Sequence, residues 1–116
     1  MDEPRKLNVK LKGEVLLMWS DCAGVYNISP NLINGNSHWL QESESNALWY
    51  DPKFQNWKIG SLSNLGGSNC KMLTQQNTAS DPPHIAVPWK YMKNGEWTGS
   101  EDVIIEEGPS NYLGLF

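Results

Sequence analysis

No stretch of eleven or more residues in this sequence carries apolar side chains at helical three- and four-residue spacing without a Gly, Pro or Asn interrupting it. Short runs of β-branched and aromatic residues alternate instead with turn residues, drawn from ten glycines, seven prolines and frequent asparagine. In the middle of the chain the connections between these runs are three to five residues long, which suits antiparallel hairpins. They leave no room for crossover helices, so a parallel α/β sheet is excluded.

The runs can be placed one by one. Leu7, Val9 and Leu11 alternate with Asn8, Lys10 and Lys12, the pattern of a strand with one wet face. Gly13 breaks it, and residues 14 to 19 read as a second, more fully buried strand. Residues 24 to 28 give the next, followed by Pro30 and an Asn34-Gly35-Asn36 turn. Residues 37 to 42, 47 to 51 and 56 to 60 read as a meander. A short strand is expected at 71 to 74, and one from 85 to 91 interrupted at Pro88. Asn94-Gly95 carries the strongest hairpin signal, a two-residue turn with positive φ at both positions. Trp97-Thr98-Gly99 and the buried run Val103-Ile104-Ile105 complete the set. The expected fold is all-β, a single antiparallel meander sandwich or barrel of about seven to nine strands. It spans residues 7–107, after a polar lead-in (1–6) and before a C-terminal tail (108–116). The tail offers Tyr112, Leu113, Leu115 and Phe116 for docking back.

Composition narrows the function classes. A chain of 116 residues makes one domain, and with 39% hydrophobic and 19% charged residues it is too apolar for disorder and too polar for a membrane span. Nine basic residues against thirteen acidic ones give a net charge of -4, and the lysines are scattered. That argues against binding nucleic acid, which needs a basic patch. Glu101, Asp102, Glu106 and Glu107 gather near the end and read as a solvated edge. The longest apolar run, Val15 to Trp19, is too short for a signal peptide or a span. The expected location is the cytoplasm, or a module cut from a larger protein, with no membrane contact. The sequon Asn27-Ile28-Ser29 is a lone match. Cys22 and Cys70 read as two reduced thiols, with one long-loop disulfide as the alternative.

Catalytic and metal constellations are thin. Cys22, Cys70, His38 and His84 could in principle supply a nucleophile and base or a zinc site. Yet no two lie at the short spacing zinc ligands favour, and no hydrolase context surrounds them. Glu42, Glu44 and Asp51 read as turn carboxylates, and Gly66-Gly67-Ser68 as a flexible loop with no phosphate-binding context. No catalytic residue, metal or cofactor is expected.

Six tryptophans dominate the aromatic content. In a small β domain without disulfides some must be core, while exposed rings would suit a sugar or a peptide. Trp49 and Trp57 are eight residues apart across a turn, as are Trp89 and Trp97, which suggests two hairpins built alike. The run Gly24-Val25-Tyr26, Asn34-Gly35, Trp39, Leu48-Trp49-Tyr50, Trp57-Lys58-Ile59-Gly60, Pro88-Trp89 and Gly95-Glu96-Trp97 resembles a small tryptophan-rich β module. That module recurs in large multi-domain animal and protist proteins. The resemblance covers about residues 23 to 106 and implies a fold unit with no reaction attached to it.

The leading functional expectation is a non-catalytic binding or scaffolding module for a protein partner. The alternative is a carbohydrate-binding module using exposed Trp and Tyr, with a small hydrolase a distant third. The candidate ligand-binding residues are Tyr50, Trp49, Asn69, His84 and Trp89. They would cluster where two long connections, 61–69 and 75–83, lie beside the Trp49-Tyr50 hairpin.

Overall fold

The structure, a computed structural model, describes residues 3–76, 78–85 and 88–108. Its elements are β1 (Lys6–Leu11), α1 (Gly13–Trp19), β2 (Gly24–Ile28), β3 (Trp39–Gln41), β4 (Asn46–Asp51), β5 (Asn56–Ser61), β6 (Met72–Thr74), β7 (Trp89–Lys93), β8 (Glu96–Ser100) and β9 (Val103–Glu107). Single 3-10 turns cover Ser20–Cys22 and Leu62–Asn64. The nine strands form one antiparallel sheet in the order β8-β7-β6-β5-β4-β3-β2-β1-β9. The all-β meander expected from the spacing of turn residues is therefore present.

The sheet curls into a nearly closed barrel. Only Glu101 and Asp102 separate β8 from β9. This last length of chain pairs with β7 through β8 and with β1 through β9. One bent strand thus draws the two ends of the sheet toward each other. Alternation along the strands decides what fills the interior. Leu7 and Val9 of β1, Tyr26 of β2, Trp39 of β3, Leu48 and Tyr50 of β4, Trp57 and Ile59 of β5, Met72 of β6 and Trp89 and Tyr91 of β7 form one buried cluster. Trp57 meets Trp39 at 5.8 Å and Tyr50 at 5.2 Å between ring centroids, both edge to face, the arrangement that the ring quadrupole favours.

Residues 14 to 19 are the main departure from the sequence reading: they are helix α1, not a strand. Gly13, at φ 60°, turns the chain off the end of β1. Glu14 is then anchored by the Tyr91 hydroxyl and the Lys93 ammonium, each at 2.8 Å. A strand here would have needed a free sheet neighbour, but β1 already pairs with β2 on one side and β9 on the other. Val15 is the one buried residue of the helix and Trp19 packs partly buried against the core, while Leu17 is 85% exposed. The apolar run therefore misled because most of it is not buried.

Other differences are local. The strand expected from residue 85 begins at Trp89, because Ile85 closes a turn with its N–H bonded to the Pro82 carbonyl at 2.9 Å. Residues 86 and 87 of that expected strand, and the tail from 109 to 116, lie outside the described residues. The lead-in is less polar than it reads, since Pro4 is buried and Lys6 already belongs to β1. The tryptophan echo is not a repeat. Trp57 and Trp89 point into the barrel and Trp49 and Trp97 out of it, so the inward ring comes second in one hairpin and first in the other. The turns differ too, residues 52–55 against the two residues Asn94 and Gly95.

Asn94 and Gly95 take φ values of 51° and 82°, as a type I′ turn requires. Nothing lies within 4 Å of where a Gly95 Cβ would sit, so the cost of a side chain there is purely conformational. Gly95→Val is expected to cost on the order of 1 kcal/mol or more in urea unfolding, because a β-branched residue resists positive φ. Gly95→Asn should cost a few tenths.

Candidate functional site

Successive turns of a meander emerge at alternate ends of the sheet. The β4–β5 turn, the start of β1, the end of β9 and the β6–β7 connection share one rim. Helix α1 and the β5–β6 connection leave from the other. The two long connections expected to lie side by side are therefore separated. They follow consecutive strands, and consecutive connections cannot share a rim.

At the helix rim a polar network ties the Ser20–Cys22 turn down. The Asn46 amide, fully buried, donates to the Asp21 carbonyl at 2.9 Å and to Gln41 Oε1 at 3.0 Å. The Lys71 ammonium reaches Asp21 Oδ2 at 2.6 Å and Asn46 Oδ1 at 2.8 Å. This end is closed by satisfied groups.

Tryptophans shape the opposite rim. The indole N–H of Trp39 donates to the Pro4 carbonyl at 2.8 Å, and that of Trp57 to the Asp81 carbonyl at 2.7 Å. The adjacent rings thus hold the lead-in on one side and the β6–β7 connection on the other. Between those two walls lies a cavity of about 440 Å³, lined by Glu3, Pro4, Ala79, Ser80, Pro82, His84, Ile85 and Glu107. Its walls combine apolar side chains with two carboxylates. The imidazole Nδ1 of His84 is buried and has no hydrogen-bond partner among the described residues. A cavity of this size with few polar groups has the character of a binding site.

The outer face of β4 and β5 carries a second small core. Trp49 is fully buried there, its indole N–H bonded to the Gly67 carbonyl at 3.1 Å in the β5–β6 connection. Beside it Lys58 and Asp51 form an ion pair at 2.8 Å with side chains only 3% and 6% exposed. The Lys58 ammonium sits 4.5 Å from the Phe54 ring centroid. Burial pushes the Asp51 carboxyl up, but the Lys58 ammonium and the backbone N–H groups of Lys53 and Phe54 outweigh it and hold the group below its ordinary range. A Cβ on Gly60 would meet Cys70 Cα at 3.0 Å and Trp49 Cη2 at 3.1 Å. Gly60→Ala is accordingly expected to cost about 1–3 kcal/mol by thermal melting, since the connection must lift off the sheet.

The five residues singled out in the sequence do not come together. Trp49 lies in the outer core, whereas Tyr50 and Trp89 lie inside the barrel, and all three are too buried to touch a ligand. The physical reason is that both faces of β4 are covered, the inner by the barrel and the outer by the β5–β6 connection. The indole N–H of Trp89 is buried without a partner among the described residues. Asn69 is exposed on the β5–β6 connection, away from the rim. His84 alone lines the cavity. Glu3, Pro4, Ile85 and Glu107 were missed. Their only trace in the sequence was position, at either end of the sheet and after a Pro-Pro pair.

The sulfur groups are poorly suited to chemistry. Cys22 and Cys70 are both unbonded. Burial above all pushes the Cys22 thiol up to about 12 and that of Cys70 up to about 11, so both stay protonated near neutral pH. Among the described residues no group of three or more His, Cys, Asp and Glu could hold a metal ion, and no helix is long and apolar enough to cross a membrane. Comparison with protein-family models, curated proteins and solved structures gives no match to this chain.

Proposed function

We propose that this domain is a non-catalytic binding module and that the cavity at the tryptophan rim is where it holds a protein partner. The single observation that carries the reading is the cavity itself, set between two segments that Trp39 and Trp57 clamp by their indole N–H groups. A rigid barrel that fixes two loop walls at one end is the arrangement in which recognition is carried by loops on a scaffold. Thiols that burial keeps protonated support the non-catalytic part.

Carbohydrate binding is the weaker reading. It needs flat exposed rings, but Trp39, Trp49, Trp57 and Trp89 are all buried, and Trp97 is 39% exposed on a different part of the sheet. A photo-crosslinking amino acid placed at Ile85 in the cavity wall, and separately at the exposed Leu17 of α1, tests the proposal in cells. Protein adducts formed from position 85 and not from 17 are expected. Adducts from 17 alone, or from neither position, would count against it.

A further inference from the structure

Resting on that reading, we infer that the cavity takes an extended basic segment, one lysine or arginine side chain of which enters between Glu3 and Glu107. Three observations converge on this occupant.

The first is charge. Glu3 and Glu107 both line the cavity, and among the described residues neither is in an ion pair. Glu3 accepts a hydrogen bond from the Ser37 hydroxyl, which orients the carboxylate without neutralising it. Two uncompensated carboxylates beside apolar walls favour a cation whose stem is apolar, which describes a lysine or arginine side chain.

The second is a backbone edge of β9 that is unpaired among the described residues. The Lys12 N–H donates to the Asp102 carbonyl and the Gly108 N–H to the Lys6 carbonyl. With Leu7 opposite Glu107 and Val9 opposite Ile105, these two bonds set the phase of the antiparallel ladder. Residues 104 and 106 then exchange bonds with β1, and the N–H and C=O groups of Val103, Ile105 and Glu107 face away from it. No described residue pairs with that side of β9. An extended segment can add there as a further strand.

The third is continuity. Val103 and Ile105 point into the barrel, and Glu107 follows them with the same alternation as the strand reaches the rim. A segment paired along β9 is therefore led to the cavity, where Ile85, Pro82 and Pro4 receive the apolar stem of its lysine or arginine and Glu107 the charge.

The test uses two fluorescein-labelled hexapeptides added to the full chain, one alternating valine with lysine and the other valine with glutamate. Fluorescence anisotropy should show saturable binding of the lysine peptide, at least about tenfold tighter than the glutamate peptide. Raising salt from about 50 to about 200 mM should weaken it roughly three- to tenfold. The Glu3→Gln/Glu107→Gln double variant should weaken it about tenfold with an unchanged melting temperature, since both residues are exposed. Amide shifts should move along 103–107 and 79–85. Equal binding of the two peptides, binding insensitive to the double substitution, or shifts confined to α1 would overturn the inference. So would no binding of either peptide, and self-association of the chain through the same edge with no response to the lysine peptide. Tight binding of the glutamate peptide that Ile85→Asp abolishes would overturn the charge assignment alone and leave the cavity as a binding site.

Discussion

Asp51→Ala is expected to destabilise the domain by about 3–5 kcal/mol, because it strands the Lys58 ammonium in the outer core with no counter-charge. Removing both charges should behave differently. Asp51→Leu with Lys58→Met replaces a buried ion pair by apolar volume, and should recover most of the loss or exceed the parent's stability. Equilibrium urea unfolding of the parent, the single variant and the double variant settles the comparison. pH gives an independent check. The folded carboxyl of Asp51 lies below its ordinary range, so its contribution is fully present above the unfolded value of about 3.9 and is lost as pH falls through the folded value. The parent should therefore lose more stability below about pH 4 than the double variant does, the difference being the share that Asp51 supplies.

Trp57→Ala is expected to cost about 3–5 kcal/mol. The ring fills the centre of the barrel against Trp39 and Tyr50, and its indole N–H holds Asp81. Trp57→Phe separates the two roles. It keeps an aromatic ring in the core and removes the donor, so about 1–3 kcal/mol is expected, with the Asp81 carbonyl left unpaired. Hydrogen exchange should then accelerate across residues 79–85 and stay slow in β4 and β5. Tyr50→Ala belongs with these core changes. It should lower the melting temperature sharply, and any loss of binding would follow from loss of fold.

The strands were legible in the sequence because their information is local. Leu7, Val9 and Leu11 alternate as a two-residue period dictates, and Asn94-Gly95 demands its turn whatever surrounds it. Closure of the barrel was not legible in that way. It depends on β9 returning to β1, a pairing between the two ends of the chain that no local pattern announces. Helix α1 was misread for a related reason. Five apolar residues in a row suit a buried strand, and only the occupied neighbours of β1 force them into a short exposed helix.

The site was less legible still. Aromatic residues at strand positions can serve a core or a ligand, and the choice rests on which loops cover them. Trp49 is hidden by a connection whose path the sequence does not specify, and Gly60 is the one local sign that something lies close above the sheet. Pro4 and Glu3 looked like a lead-in. Their role comes from the Trp39 indole, across a sequence separation of 35 residues. His84 was the exception, a polar residue after two prolines whose ring does reach the cavity.

Tryptophans clamp loop carbonyls to the barrel, and indole N–H exchange in the intact protein measures the clamping directly. Trp39 and Trp57 are buried with their indole N–H groups bonded at 2.8 and 2.7 Å, whereas Trp97 is partly exposed. Followed by NMR in heavy water, the Trp39 and Trp57 indole protons should persist with the slowest amides of β4 and β5, long after that of Trp97 has gone. Exchange of the Trp57 indole proton as fast as that of Trp97 would mean that Asp81 is not held, and with it the wall of the cavity.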